Sequence, residues 1–200
     1  MPDAPAFNPR PVTLEGIHAR LEPLDMKHID DLYEFGCDAD IWRYIPSPAF
    51  QRPDDARSWI EDSIREMSNQ RNIVFAIIDK ITGRAAGSTR YLTISHKDRG
   101  LEIGYTWLGK PFRRTAINTE CKLLLMTHAF EDLGAIRVQY KTDQRNESSQ
   151  RAIERIGATF EGALRNHMIM PDGFQRTSMY YSVTIEEWPG VKSHLCSLLD

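Results

Sequence analysis

Lys110-Pro-Phe-Arg-Arg-Thr-Ala-Ile-Asn-Thr-Glu120 decides how this chain is read. It joins a strand-like run, Leu101 to Leu108, to a strongly apolar helix-like run, Ile117 to Leu133. The first-turn N–H groups of such a helix have no partner inside it, and the helix dipole adds partial positive charge at the same end. Arg113 and Arg114 add formal charge beside them. That combination suits a phosphate or diphosphate, and a chain that holds one there handles a nucleotide-bearing molecule. Asn118 is expected to cap the helix, with Thr119 and Glu120 in its first turn.

On the N-terminal side, Thr13 to Glu22 alternates, with Ile17, Ala19 and Leu21 on one face and a tight turn at Glu15-Gly16. Helices are expected from Asp25 to Phe35, over Asp40 to Tyr44, and from Pro53 to Asn69. A meander follows: Asn72 to Asp79, Ala85 to Ser95 and Leu101 to Leu108. Beyond the central helix, which Gly134 ends, Ile136, Val138 and Tyr140 alternate in a strand. Asn146 then opens a helix closed by Gly157. Phe160 to Met170 and Phe174 to Ile185 form a hairpin around Pro171-Asp172-Gly173. The expected fold is α/β (α+β): a single domain whose central mixed, mostly antiparallel twisted sheet carries helices on both faces. Residues 1–11, with four prolines, are expected to be a mobile arm. Residues 12–188 form the domain, and 189–200 a C-terminal segment with a short helix over Val191 to Leu198.

The 200 residues carry a formal charge of −3, which argues against nucleic-acid binding through bulk positive charge. Cys37, Cys121 and Cys196 are scattered, as in reduced intracellular thiols, and the histidines have no metal-ligand spacing. No apolar run approaches the ~18 residues of a membrane span, and the N-terminus has no signal-peptide core. A cytoplasmic protein without a metal is expected.

Several short segments follow one another in a set order and spacing: Leu21-Glu-Pro-Leu24, Glu102-Ile-Gly-Tyr105, Arg113 to Glu120, Asn146-Glu-Ser-Ser149, Arg155-Ile-Gly-Ala158, Glu161-Gly-Ala-Leu-Arg165 and Glu187-Trp188. With the element order, they make Val12 to Trp188 resemble the GNAT-fold N-acetyltransferases. The resemblance is strongest to the branch of ribosomal-protein serine and alanine N-acetyltransferases, the RimJ/RimL type. It implies acetyl-CoA as co-substrate and a primary amine as acceptor, either a small molecule or a protein N-terminus. Pairing of two copies is left open.

By the same resemblance, the diphosphate sits on Arg113, Arg114, Thr115, Ala116, Ile117, Asn118 and Thr119. The family loop reads Arg/Gln-x-x-Gly-x-Gly/Ala, so both small positions differ here, as Ala116 and Asn118. The pantetheine arm runs between the strands bearing Trp107 and Val138, against main chain at Thr106, Trp107 and Leu108. Asn146 and Ser148 are implied to touch the arm, and Ser149 to protonate the departing thiolate. Glu102 is the candidate base; period 2 puts it on one face with Gly104, Thr106 and Leu108. His167 is a second titratable candidate, beside Met168 at the nearest slot where some relatives carry a carboxylate. Trp42, Tyr44, Phe50 and Trp59 lie in the segment that lines the acceptor side in the family.

Each role has a plainer alternative. Asn146 is equally an N-cap, Glu102 a salt-bridged strand residue, His167 a surface histidine and the aromatics ordinary core. At pH 7.5 roughly a third of an α-amine is neutral but only about one lysine in a thousand, so an α-amine acceptor tolerates a weak base. The altered loop glycines also permit an acyl-CoA-binding module without turnover. A nucleotide-binding protein unrelated to CoA lacks support from any Walker or Rossmann glycine pattern.

Overall fold

The computed structural model describes residues 7–200. Its elements are β1 (Leu14–Glu15), β2 (Ala19–Pro23), α1 (Ile29–Gly36), α2 (Ala39–Trp42), α3 (Pro53–Ser68), β3 (Ile73–Asp79), β4 (Ala85–Ser95) and β5 (Gly100–Leu108). There follow α4 (Ala116–Thr127), β6 (Arg137–Asp143), α5 (Glu147–Arg155), β7 (Thr159–Ile169), β8 (Gln175–Thr184) and α6 (Trp188–Ser197). The sheet has eight strands in the order β1-β2-β3-β4-β5-β6-β8-β7. Among the described residues only β5 and β6 pair in parallel.

The middle of the sheet is buried on both faces, which is why β3 reads as an unbroken apolar run. Ile73, Phe75 and Ile77 join one core with α4, α5 and α6. Val74, Ala76 and Ile78 join a second core with α1, α2 and α3. These are termed the α4 face and the α3 face. Pro53 opens α3 at a position where its missing N–H costs nothing, and Asp55 accepts from the Gln51 and Arg52 amides at 2.9 and 2.8 Å. Gly173, at φ +81°, turns the β7–β8 hairpin as its sequence demands. No helix among the described residues is long and apolar enough to cross a membrane.

Four expectations are corrected. Residues 1–6 of the arm lie outside the described residues, but Phe7 is buried and its carbonyl accepts from His96 Nδ1 at 3.0 Å. The tail of the arm is therefore docked by an aromatic side chain. Thr13 to Glu22 is a hairpin of two short strands, and Ile17 points outward, 81% exposed. The cause lies in α4. The Glu120 carboxylate accepts from the amides of Ile17, His18 and Ala19 at 2.7, 2.7 and 2.6 Å, so the turn is shaped around it. Gly16 is required there, because a Cβ would lie 2.4 Å from Glu120 Cδ.

The central helix stays α-helical only to Thr127 and widens to a π-turn over His128–Asp132. The Tyr91 hydroxyl donates to the Leu125 carbonyl at 2.6 Å just before the widening, sharing that acceptor with the His128 amide. Lastly, α4 begins earlier than expected. Thr115 is its N-cap: Oγ1 accepts from the Ile117 amide at 3.4 Å and donates to the Phe112 carbonyl at 2.8 Å. Asn118 sits inside the first turn, because Thr115 takes the cap and Ala116, a strong helix former, opens the helix.

Candidate active site

Hydrogen bonding between β5 and β6 covers three residue pairs, Gly100 with Arg137, Leu101 with Val138 and Glu102 with Gln139. Beyond them, among the described residues, the two strands pair only with their outer neighbours, β4 and β8. The sheet is thus split, and the inner edges of Ile103–Leu108 and Tyr140–Asp143 face each other across the gap. A free strand edge is a row of main-chain donors and acceptors.

A β-bulge re-aims the residues along this edge. Between Arg90–Gly104 and Ser88–Trp107, β5 carries one residue more than β4, and Tyr105 takes φ +48° there. A left-handed conformation at a non-glycine residue costs roughly 1–2 kcal/mol. The bulge reverses the expected alternation. Glu102, Gly104, Tyr105 and Trp107 occupy the α3 face, whereas Thr106 and Leu108 turn to the α4 face; simple period 2 puts all four even-numbered residues together. Thr106 Oγ1 there bonds Thr89 Oγ1 and accepts from Lys122 Nζ, each at 2.8 Å.

On the α4 face, the mouth of α4 opens beside the split. Arg113 and Arg114 are exposed. Arg113 is held by its Nε bond to the Leu108 carbonyl at 2.9 Å and an ion pair with Asp38 at 2.8 Å. Arg114 takes φ +61°. Thr119, buried, accepts from Arg155 at 2.6 Å, so α5 delivers a further cation to this mouth. The sequence gives Arg155 only as part of a motif; its proximity depends on the packing of α5 against the sheet, which sequence spacing does not encode.

Asn146 caps α5 by accepting from the Ser149 amide at 3.0 Å, and its side-chain NH2 makes no hydrogen bond among the described residues. Ser149 is half-buried and Ser148 exposed. Lys122 is buried, and with Thr106 as its one hydrogen-bond partner among the described residues, burial pulls its ammonium down to about 8. Tyr140, buried on the same face with Lys122 Nζ 5.7 Å from its ring, has an unpartnered hydroxyl among the described residues, and burial raises it strongly. Sequence reasoning singles out neither residue. The available signal is a lysine inside a buried helix face.

On the α3 face Glu102 is buried, with Gln139 Nε2 at 3.1 Å and Lys141 Nζ at 3.4 Å from its Oε2. His167 is exposed on β7. Its Nδ1 lies 3.0 Å from Ser178 Oγ and its Nε2 3.4 Å from Tyr180 OH. Partial burial, then Lys141 and Arg176, lower its pKa, so the ring is neutral at pH 7. Glu102 and His167 therefore share a face, while Ser149 belongs to α5. Trp42, Phe50 and Trp59 cluster with Trp107 at ring separations of 4.6–6.4 Å, so Trp107 completes the expected aromatic group. Tyr44 is not part of it; it lies under Arg145, 5.6 Å from its ring.

Comparison with known proteins gives this geometry a lineage. Residues 18–159 match the acetyltransferase (GNAT) domain family. YdaF of Bacillus subtilis (strain 168), provisionally named a ribosomal N-acetyltransferase, is 34% identical over 110 residues, 55% of this chain and 59% of YdaF. The match thus spans under two thirds of that relative's length. A GCN5-related N-acetyltransferase from Brucella melitensis superposes with a TM-score of 0.90 at 29% identity, covering 96% of this chain and 87% of that one. A provisionally named acetyltransferase from T. thermophilus superposes at 0.86 with 38% identity, covering 95% and 98%.

Proposed function

The chain belongs to the acetyltransferase (GNAT) family, and from that premise we propose that it is an acetyl-CoA-dependent N-acetyltransferase acting on a primary amine by direct transfer. The observation that carries this reading is the split between β5 and β6 beside the mouth of α4. Family enzymes use acetyl-CoA, whose thioester supplies the acetyl group. The residues present fit it: first-turn amides and the cations Arg113, Arg114 and Arg155 suit a diphosphate, and two free strand edges suit an amide-bearing arm.

In this reading the main chain of Thr106, Trp107 and Leu108 orients the arm, and an edge N–H steadies charge that develops on the carbonyl oxygen. Asn146 keeps its side-chain NH2 for the arm while its Oδ1 caps α5. The acceptor nitrogen forms a bond to the carbonyl carbon, the carbon–sulfur bond breaks, the nitrogen loses one proton and the sulfur takes one. Ser149 is the proton donor to sulfur. Neutral His167, or Glu102 through its Lys141–Gln139 setting, takes the proton from nitrogen. Holding amine and thioester in line across the split supplies much of the rest. The name of YdaF, a ribosomal N-acetyltransferase, favours a protein amine among acceptors, and the higher neutral fraction of an α-amine favours the N-terminal one.

The test couples calorimetric binding of acetyl-CoA to a thiol-release assay over small amines and N-terminal peptides. Turnover of at least one amine is expected. Binding with no release from any amine supports instead a module that holds the coenzyme without turnover. Ser149→Ala should lower kcat about 10- to 100-fold with acetyl-CoA affinity unchanged; an unaltered kcat removes Ser149 as the acid.

A further inference from the structure

Two arginines on the α3 face lack the partners that buried cations need. Arg90 is 6% exposed and Arg176 4% exposed, and the Nε of each is buried without a hydrogen bond among the described residues. The Arg90 guanidinium makes no hydrogen bond at all among them. Its one ionic neighbour among the described residues is Glu66 at 3.6 Å, which is 42% exposed, and its group lies over Tyr105 and Trp59 at 4.7 and 5.6 Å. Arg176 has one bond among the described residues, from NH1 to the Tyr44 carbonyl at 3.3 Å. The nearby carboxylates are committed. Glu102 serves Lys141 and Gln139, and both oxygens of Asp143 accept from Arg145.

Burial disfavours both guanidinium groups, lowering their pKa values. A buried charge without a hydrogen-bonded counter-ion is costly, and proteins supply one from the chain or from a ligand.

The placement of the pair matters as much as its deficit. Arg90 is on β4 opposite Gly104, the outer neighbour of β5. Arg176 is on β8, the outer neighbour of β6. One cation thus stands on each shoulder of the split, and Tyr105, at the bulge, feels both. The guanidinium ends, unlike the Nε atoms, are not sealed from solvent without partners.

We propose that Arg90 and Arg176 form an anion site for the acceptor, so that the amine this protein acetylates carries a carboxylate. This rests on the acetyltransferase reading and names the class of its second substrate. Two paired N–H donors on a planar group match a carboxylate. That carboxylate is the α-carboxylate of an amino acid or an acidic side chain near a peptide N-terminus. Its grip on the α3 face would hold the amine over the split.

The experiment uses amine pairs that differ only in a carboxylate and the corresponding carboxamide. One arm is amino acids against their amides. The other is amidated peptides with Asp or Glu at the second position against the same peptides with Asn or Gln. The preferred arm should show at least about tenfold higher kcat/KM for the acid. Arg90→Gln and Arg176→Gln should each erode that preference, through KM, with acetyl-CoA affinity unchanged. Arg90→Lys and Arg176→Lys, which keep the charge, should retain part of it and serve if the Gln variants do not fold. Equal kcat/KM for acid and amide in both arms, or a preference that survives the variants, overturns the proposal. Calorimetric binding of the N-acetylated products to the CoA-loaded protein reads the same site without turnover. Tighter binding of the acid product upholds the anion site even if no thiol is released, in which case the acetyltransferase reading alone fails; equal binding overturns the anion site.

Discussion

The two faces of the split sheet are built by different means. At the mouth of α4 the groups proposed to meet the coenzyme are main-chain amides and strand edges, with cations added around them. On the α3 face the groups proposed for the acceptor are side chains: Glu102, Lys141, His167 and the arginine pair beside an aromatic wall. A site made of main chain survives changes of side chain, so Ala116 and Asn118 are compatible with a diphosphate held by the first-turn amides of α4. A site made of side chains changes its ligand whenever they change. One scaffold can therefore keep its first substrate while varying its second.

If that contrast is right, side chains of α4 matter where they hold other main chain, not where they meet ligand. Glu120 is the strongest case. Glu120→Ala leaves three amides, one of them buried, without their acceptor and should cost ~3–5 kcal/mol, read as a lower urea midpoint. Acetyl-CoA affinity of the molecules that remain folded should stay within about twofold. A loss below about 1 kcal/mol would mean the β1–β2 turn holds its shape without the carboxylate.

Lys122 is the exception that sharpens the contrast, a side chain buried beneath the free edge of β5. It loses its proton at about 8 in the folded protein, against ~10.4 in an unfolded chain. Between those values the unfolded chain holds more protons, so the folded state gains stability as pH rises through that window. The penalty is fully present below pH 8, at most ~3 kcal/mol. Lys122→Met should accordingly be more stable than the parent at pH 7, with the two converging near pH 10. Cys121, pushed up to about 12 by burial even with the Lys122 charge lowering it, stays a thiol through this window with or without that ammonium and so leaves the difference unchanged. A stability gap that does not vary between pH 7 and 10 would remove the buried ammonium as its source.

Elements whose periodicity reports their own burial were legible. β3, read from its apolar, β-branched run, and β4 and the β7–β8 hairpin, read with their turn chemistry, fall within a residue or two of the expected bounds. So did the Asn146 cap, because Asn-x-x-Ser is local chemistry. What failed was set by distant partners. Ile17 is exposed because Glu120, about a hundred residues on, takes its amide. The face of Thr106 flips because one residue is extruded at Tyr105, and no alternating pattern announces a bulge. Arg90 and Arg176 sit in β4 and β8 as ordinary polar residues of alternating strands; their deficit of partners exists only once the strands are paired.

The smallest effect concerns Asn118, and its value lies in two signs. Asn118 stands in the first turn of α4, inside the Thr115 cap. Asn118→Asp puts a negative charge where the helix dipole welcomes one, which should raise stability by ~0.3–1 kcal/mol at low salt. The same charge would repel a diphosphate seated on the neighbouring amides, weakening acetyl-CoA about tenfold, ~1.4 kcal/mol. Both effects should shrink as salt is raised, since the first turn is partly open to solvent. A purely structural first turn predicts the gain in thermal midpoint and an unchanged calorimetric affinity. A diphosphate bound there predicts opposite movements of stability and affinity in one variant, an outcome that a general loosening of the fold cannot produce.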